Sequence, residues 1–207
     1  MTPQDINTGR HLPVMEEFYS LQGEGFNTGK AAYFIRIGGC DVGCHFCDVK
    51  EAWDASLAEP VDVEDIIKRI EPLPAKNVVV TGGEPLLYNL DYLTQRLKEI
   101  GITTFLETSG SSAFSGTWDW VCLSAKRNIP PLEDNLHKAD ELKIIVCGDD
   151  DFAFGEHYAM KVSRNCRLYL QPEWSKRHQM MDKIVQYIKQ NPQWSISLQS
   201  HKYMQIP

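Results

Sequence analysis

Short apolar, β-branched runs recur along this chain, with patterns of helical period between several of them. The runs are AYFIRI (32–37), NVVVT (77–81), TTFLET (103–108), WVCLS (120–124), LKIIV (142–146), RLYLQ (167–171) and SISLQS (195–200). The helical patterns are VDVEDIIKRI (61–70), YNLDYLTQRLKEIG (88–101) and SKRHQMMDKIVQYIKQNP (175–192). The last carries apolar residues at 180, 181, 184, 185 and 188, and Asn191-Pro192 ends it. Met180 and Met181 read as core filling. Strands that are apolar throughout are buried on both faces, so they pair in parallel and return through crossovers. About six such units predict an α/β fold, either an open sheet or a partial (βα)6-type barrel.

In both architectures ligands gather at the carboxyl ends of the strands. The unusual residues of this chain fall there. AYFIRI runs into a cysteine loop, NVVVT into GGEPLL, TTFLET into SGSS, WVCLS into AKRN and RLYLQ into PEW. All would open onto one face.

A chain of 207 residues suits a single domain, 1–207, with short terminal extensions. The net charge of −7 and the lack of a Lys/Arg block argue against a nucleic-acid groove. No apolar run approaches the roughly 18 residues of a membrane helix. The start, MTPQDINTGRHLPV, has no signal-peptide pattern. These features predict a cytoplasmic protein with reduced thiols. Cys122, Cys147 and Cys166 are scattered, two of them in apolar runs, and read as small buried hydrophobes.

Cys40, Cys44 and Cys47 differ. In GGCDVGCHFCDVKEAWD (38–54) they are spaced C-x3-C-x2-C, which reads as a metal-ligand set rather than a disulfide framework. A structural zinc site would need a fourth ligand. His45 is poorly placed, and no second C-x2-C exists. A [4Fe–4S] cube held by three thiolates fits better, because its fourth iron stays open for chemistry. TGGEP (81–85) is the second signal. Its glycines allow close backbone approach, and Glu84 can accept from an ammonium or buttress the loop. GEGFNTG (23–29) is not a dinucleotide fingerprint, since it lacks the spacing and the strand–helix context.

The cysteine spacing after the first strand, with Phe46 before the last cysteine, resembles the radical S-adenosylmethionine (SAM) superfamily. Three longer segments, FYSLQGEGFNTGKAAYFIRIGGC, TGGEPLL and SLQSHKYMQIP, resemble the 7-carboxy-7-deazaguanine synthase family within it. The likeness runs from about residue 15 to the end and is weakest over 53–75 and 148–166. It implies a TIM-like partial barrel with a radical SAM core. It also implies a lyase that converts 6-carboxy-5,6,7,8-tetrahydropterin to 7-carboxy-7-deazaguanine with loss of ammonia, on the route to queuosine and other deazapurines. A 5′-deoxyadenosyl radical would take hydrogen from C6 of the pterin, and SAM would be regenerated.

The same resemblance assigns roles. Cys40, Cys44 and Cys47 would hold the cluster, with SAM as the fourth ligand. Leu21, Gln22, Gly23, Arg36, Thr81 and Pro207 would meet the substrate, Arg36 as a fork on its carboxylate and Pro207 through the terminal carboxylate on the pterin N–H edge. Gly83 and Glu84, then Ser124, Ala125 and Lys126, then Gln171, Pro172, Glu173 and Trp174, would hold SAM. Glu107, Thr108 and Ser109 would assist, and His201 would frame the pterin pocket. A homodimer and a flavodoxin- or ferredoxin-like one-electron donor are implied as partners.

One position departs from the family. Many members carry Ser or Thr two residues after the last cysteine, and its hydroxyl helps bind a Mg²⁺ that contacts substrate. Here the segment is CDV: Asp48 is kept, but Val49 offers only its backbone. Magnesium therefore stays an open expectation. Two other readings compete. A glycyl-radical activase would share the cysteine spacing but leaves LQGEG and HKYMQIP unexplained. A non-enzymatic metal–thiolate module leaves TGGEP unexplained.

Overall fold

The computed structural model describes residues 8–207. The reading of the N-terminus as free of a signal peptide rests partly on residues 1–7, which lie outside the described residues. The strands are β1 (His11–Leu21), β2 (Ala31–Ile37), β3 (Pro60–Asp62), β4 (Asn77–Gly82), β5 (Thr103–Thr108), β6 (Trp120–Leu123), β7 (Glu141–Val146), β8 (Arg167–Pro172) and β9 (Trp194–Ile196). The helices are α1 (Val63–Ile70), α2 (Asp91–Glu99), α3 (Glu133–Leu136), α4 (Asp150–Ala159), α5 (Arg177–Gln190) and α6 (Ser200–Met204).

The strands form one sheet ordered β3-β1-β2-β4-β5-β6-β7-β8-β9. From β2 onward every pair is parallel, and the order follows the chain without reversal. Crossovers of one hand in unreversed order place the helices on one face. The other face curls inward, and because the edge strands β3 and β9 lie at opposite ends of the sheet and do not pair with each other, the barrel is partial and open.

Side chains alternate across the strands. Outward, Ile35, Ile37, Val78, Val80 and Leu106 pack with Ile66, Ile70, Leu93 and Leu97 of α1 and α2. Leu142, Ile144, Val146 and Leu170 pack with Met180, Ile184 and Trp194. Inward, Ala32, Phe34, Val79 and Phe105 make a small apolar plug. One step further along the same strands the inward positions become Arg36, Thr81 and Glu107, and these line a pocket.

Every expected strand is present, but several boundaries and connections differ. Helix α1 starts only at Val63, because Pro60–Asp62 adds β3 beside β1 and Asp62 then caps the helix through Glu64 N. The run 195–200 leaves the sheet after Ile196. There Ser197 Oγ is drawn between Gly25 N and Gln171 Oε1, and the chain turns into α6. The β5–β6 crossover has no helix; its loop fills the space with Phe114 and Trp118. Strand β1, absent from the expectation, pairs antiparallel with β2 and breaks register between Val14 and Glu16. Helix α4 was also unanticipated: it carries Gly155, where a Cβ would sit 3.2 Å from the Trp194 ring. Of the scattered cysteines Cys122 is buried, while Cys147 and Cys166 are partly exposed; all three are free thiols. No helix among the described residues is long and apolar enough to cross a membrane.

Candidate active site

The cysteine loop leaves β2 and folds back on itself. Gly39 N donates to Ala52 O (2.7 Å) and Cys40 N to Trp53 O (3.1 Å). The turn after β4 crosses directly over it: Gly83 N donates to Ile37 O and Glu84 N to Gly39 O, both at 2.9 Å. This crossing explains the glycine pair. A Cβ at Gly82 (φ +137°) would lie 2.1 Å from Ile37 O, and one at Gly83 would lie 2.1 Å from Gly39 O. Glu84 is 1% exposed. Its carboxylate accepts from Leu86 N, Thr108 Oγ1, Ser109 N and Ser109 Oγ. Of its two expected uses, buttressing is the one these contacts show. Thr108 and Ser109 both donate to the Glu84 carboxylate.

Cys40, Cys44 and Cys47 are free and face one pocket. Cys47 N donates to Cys44 O, and the Trp53 indole N–H points at Cys47 Sγ (3.3 Å). Burial pushes the Cys40 and Cys44 thiols up, and Lys126 counters this at Cys44. Lys126 donates to Ser124 Oγ (2.6 Å) and lies over the Phe46 ring.

The donors fit a [4Fe–4S] cube. Among the described residues no three Cys, His, Asp or Glu side chains are grouped as a single ion requires. A cube does not need such convergence, because each thiolate meets a different iron. An indole N–H on a ligand sulfur is an outer contact of the kind that tunes a cluster.

The LQGEG loop and α6 interlock on the other side of the pocket. Gly23 O accepts from both the N–H and the hydroxyl of Ser200, each at 2.9 Å. The His201 ring packs so closely that a Cβ at Gly23 would lie 2.2 Å from Nδ1. Gln199 donates to Glu24 (2.9 Å). Below them, Lys143 of β7 bridges Glu24 (2.6 Å) and Glu107 (2.9 Å), and Gln22 donates to Glu107 (3.1 Å). Burial alone would discharge Lys143, but Cys122, Glu107 and Glu24 outweigh it and hold its pKa well above the ordinary value. Burial likewise opposes charge on Glu24, yet Lys143 draws it down to about 2.

Arg36 gives Nε to Glu16 (2.5 Å) and turns into the pocket, its η nitrogens without an acceptor among the described residues. Pro207 O accepts from the Ser20 hydroxyl (3.0 Å). Glu173 caps the 3-10 turn Trp174–Lys176 through Ser175 N (2.9 Å). Arg177 and Lys202 both stack on the Trp174 ring, at 4.1 and 5.2 Å from its centroid. Asp48 pairs with Lys202 (2.8 Å), and Val49 O accepts from Ala52 N (3.1 Å).

The pocket holds about 320 Å³, within the usual range for small ligands. Leu21, Thr81, Pro172 and His201 line it with the residues just described. Ala125 is the one expected residue that does not; it is buried beside it. Sequence reasoning missed Ser20, Glu24, Trp53, Lys143, Gln199 and Lys202. Lys143 had a signal: it is the one charge in LKIIV, at an inward-facing register.

Residues 34–126 match the Radical SAM superfamily. Over 98% of this chain and 96% of the relative, the sequence is 52% identical to a 7-carboxy-7-deazaguanine synthase of Flavobacterium psychrophilum. One from Synechocystis is 42% identical over 94% and 93%. The crystal structure of QueE from Escherichia coli superposes with a TM-score of 0.84 at 30% identity, covering 96% of this chain and 98% of that one. Streptococcus suis SuiB bound to S-adenosylmethionine shares the fold alone, with a TM-score of 0.53 at 14% identity over 76% of this chain and 44% of that one. Identity at this level, over nearly the whole of both chains and with the cysteine loop and the crossing glycine turn in place, makes the protein a member of the 7-carboxy-7-deazaguanine synthase family.

Proposed function

We propose that this pocket binds 6-carboxy-5,6,7,8-tetrahydropterin beside SAM and converts it to 7-carboxy-7-deazaguanine with release of ammonia. One observation carries the reading. Three segments distant in sequence close over one cavity: Ser200 on Gly23, Gln199 on Glu24, and Lys202 on Asp48 of the cysteine loop. Such a pocket brings a cluster loop and a substrate loop together.

When bound, the cluster and SAM would supply the radical chemistry directed at C6 of the pterin. The chain's own residues position, shield and neutralise. Cys40, Cys44 and Cys47 hold three irons. The Gly83 carbonyl, the Ser124 hydroxyl and the Gln171–Trp174 segment, with the Lys126 ammonium, would hold SAM along the carboxyl ends of β4, β6 and β8. Glu84 keeps the crossing turn rigid beneath it. The free η nitrogens of Arg36 take the substrate carboxylate. Gln22, Gly23 and Thr81 face the heterocycle, and the Pro207 backbone oxygen accepts from its N–H edge. The interlocked α6 and LQGEG loop keep water from the reacting carbon.

The family resemblance supports treating 1–207 as one domain, working as a cytoplasmic homodimer reduced by a flavodoxin- or ferredoxin-like donor. The test is anaerobic. The protein is reconstituted with iron and sulfide, given SAM, dithionite and the carboxylated tetrahydropterin, and deazapurine is followed by mass spectrometry. Formation of deazapurine is expected. SAM cleavage without deazapurine would remove the substrate assignment, and a protein that takes zinc but never SAM would overturn the whole reading.

A further inference from the structure

The residues that the family resemblance assigns to Mg²⁺ do not fit a resident ion here. Mg²⁺ demands near-octahedral oxygen coordination. Val49 has no side-chain oxygen, and its carbonyl already accepts from Ala52 N in the 3-10 turn Lys50–Trp53. The Asp48 carboxylate already carries a cation, the Lys202 ammonium at 2.8 Å, with Gln199 as a longer second donor at 3.5 Å. Among the described residues no metal-ligating group of three surrounds them.

That ammonium is placed for use. Lys202 lines the same pocket as Arg36 and Thr81, and its side chain is 22% exposed. Asp48 holds it from one side, and its ammonium lies 5.2 Å over the Trp174 ring on another. An ammonium has three N–H donors. Asp48 takes one, and the other two have no acceptor among the described residues. A positioned cation with unused donors, on the wall of a pocket, suits an anionic ligand.

We propose that in this chain the Lys202 ammonium, tethered by Asp48, does the work of a divalent cation and binds the substrate carboxylate together with Arg36. The inference rests on the pterin reading above. It makes substrate binding independent of Mg²⁺ and dependent on a side chain of α6. Because the cation is built in, the site carries its charge before substrate arrives, and ordering of α6 becomes part of substrate recognition.

Calorimetry on the reconstituted protein with SAM, without reductant so that no turnover occurs, tests this. Two ligands are compared, the 6-carboxylated tetrahydropterin and the same ring without its carboxylate, each in EDTA and in Mg²⁺. Wild-type affinity for the carboxylated ligand is expected to agree between EDTA and Mg²⁺ within about twofold. Lys202→Met is expected to weaken it by about tenfold or more, with no rescue by Mg²⁺, and to leave the decarboxylated ligand nearly unchanged. Lys202→Arg, which keeps charge and tether, is expected to retain most of the affinity. A tenfold loss on chelation in the wild type, restored by Mg²⁺, would overturn the inference. So would a Lys202→Met variant that binds the carboxylated ligand normally or weakens both ligands alike, since a merely structural tether does the latter. A wild type that binds neither pterin would instead remove the functional reading, and this inference with it.

Discussion

Lys143 and Lys202 line the same pocket but are held in opposite ways. Lys143 stands on β7 with its side chain 5% exposed, between two carboxylates that are themselves held by Gln22 and Gln199. Lys202 stands on the short α6 with one carboxylate partner and an open side. The first is an internal brace whose charge is fully answered by protein. The second has electrostatic capacity left for a ligand. Two lysines of one pocket thus divide stability from binding, and burial with the number of acidic partners decides which does which.

The largest expected effect breaks that comparison most directly. Lys143→Met would leave the half-buried Glu24 and Glu107 without a counter-charge, at a cost of about 3 kcal/mol. Lys202→Met would break one part-exposed pair and cost no more than about 1 kcal/mol. Denaturant midpoints of the two variants check this. Equal shifts would mean that the two lysines are not different in kind.

Gly83→Ala comes next and sharpens the picture of the rim. The new Cβ would meet backbone oxygens, Gly39 O at 2.1 Å and Ala52 O at 2.7 Å, which cannot swing aside as a side chain would. A cost of about 1–3 kcal/mol is expected, together with displacement of the cysteine loop. The spectroscopic response of the reduced cluster to added SAM should be diminished or lost. A variant with an unaltered response would show that the crossing turn does not set SAM placement. The rim therefore combines a rigid backbone crossing with an adaptable ammonium.

Much of this was legible in the sequence because the strands facing helices are apolar on both sides. NVVVT and TTFLET declare themselves by composition, and the chemistry lies just past their ends. Strand β1 is hidden for the opposite reason. HLPVMEEFYSL carries Pro13, Glu16 and Glu17, a register break and only partial burial, so no period of two survives. Helix α4 is hidden because aromatic side chains lie around it and Gly155 is there to admit Trp194. The cysteine loop and the glycine pair were readable because their spacing is local. The Glu24–Lys143–Glu107 brace was not, since it joins a loop and two strands, with Glu24 and Lys143 119 positions apart. Pairing across such a separation has no local signature.

The smallest effect concerns two carboxylates near Lys143, one inside that brace and one outside it. Glu24 titrates in the folded protein near 2 rather than its ordinary 4.5, because Lys143 outweighs burial. The unfolded chain takes that proton first, so Glu24 contributes stability above pH 4.5 that is lost as pH falls from 4.5 toward 2. Glu141 is shifted the other way. Burial raises it above 4.5, with only Phe26 N and the Trp120 indole N–H donating to its Oε2 and with Lys143 pulling in the opposite direction. Its folded form holds the proton longer, so its contribution is present below pH 4.5 and fades as pH rises through the raised value. Glu141→Gln keeps an acceptor for those two donors and cannot ionise. It should stay within about 1 kcal/mol of wild type, while its stability relative to wild type grows from pH 4 to 7. Lys143→Met should instead erase the acid-side loss, because Glu24 is no longer held down. Thermal midpoints followed from pH 7 down to about 2 decide it: parallel curves for wild type and Glu141→Gln would show that burial does not set the charge of Glu141. Diverging curves would show that one lysine serves Glu24 fully and Glu141 only in part.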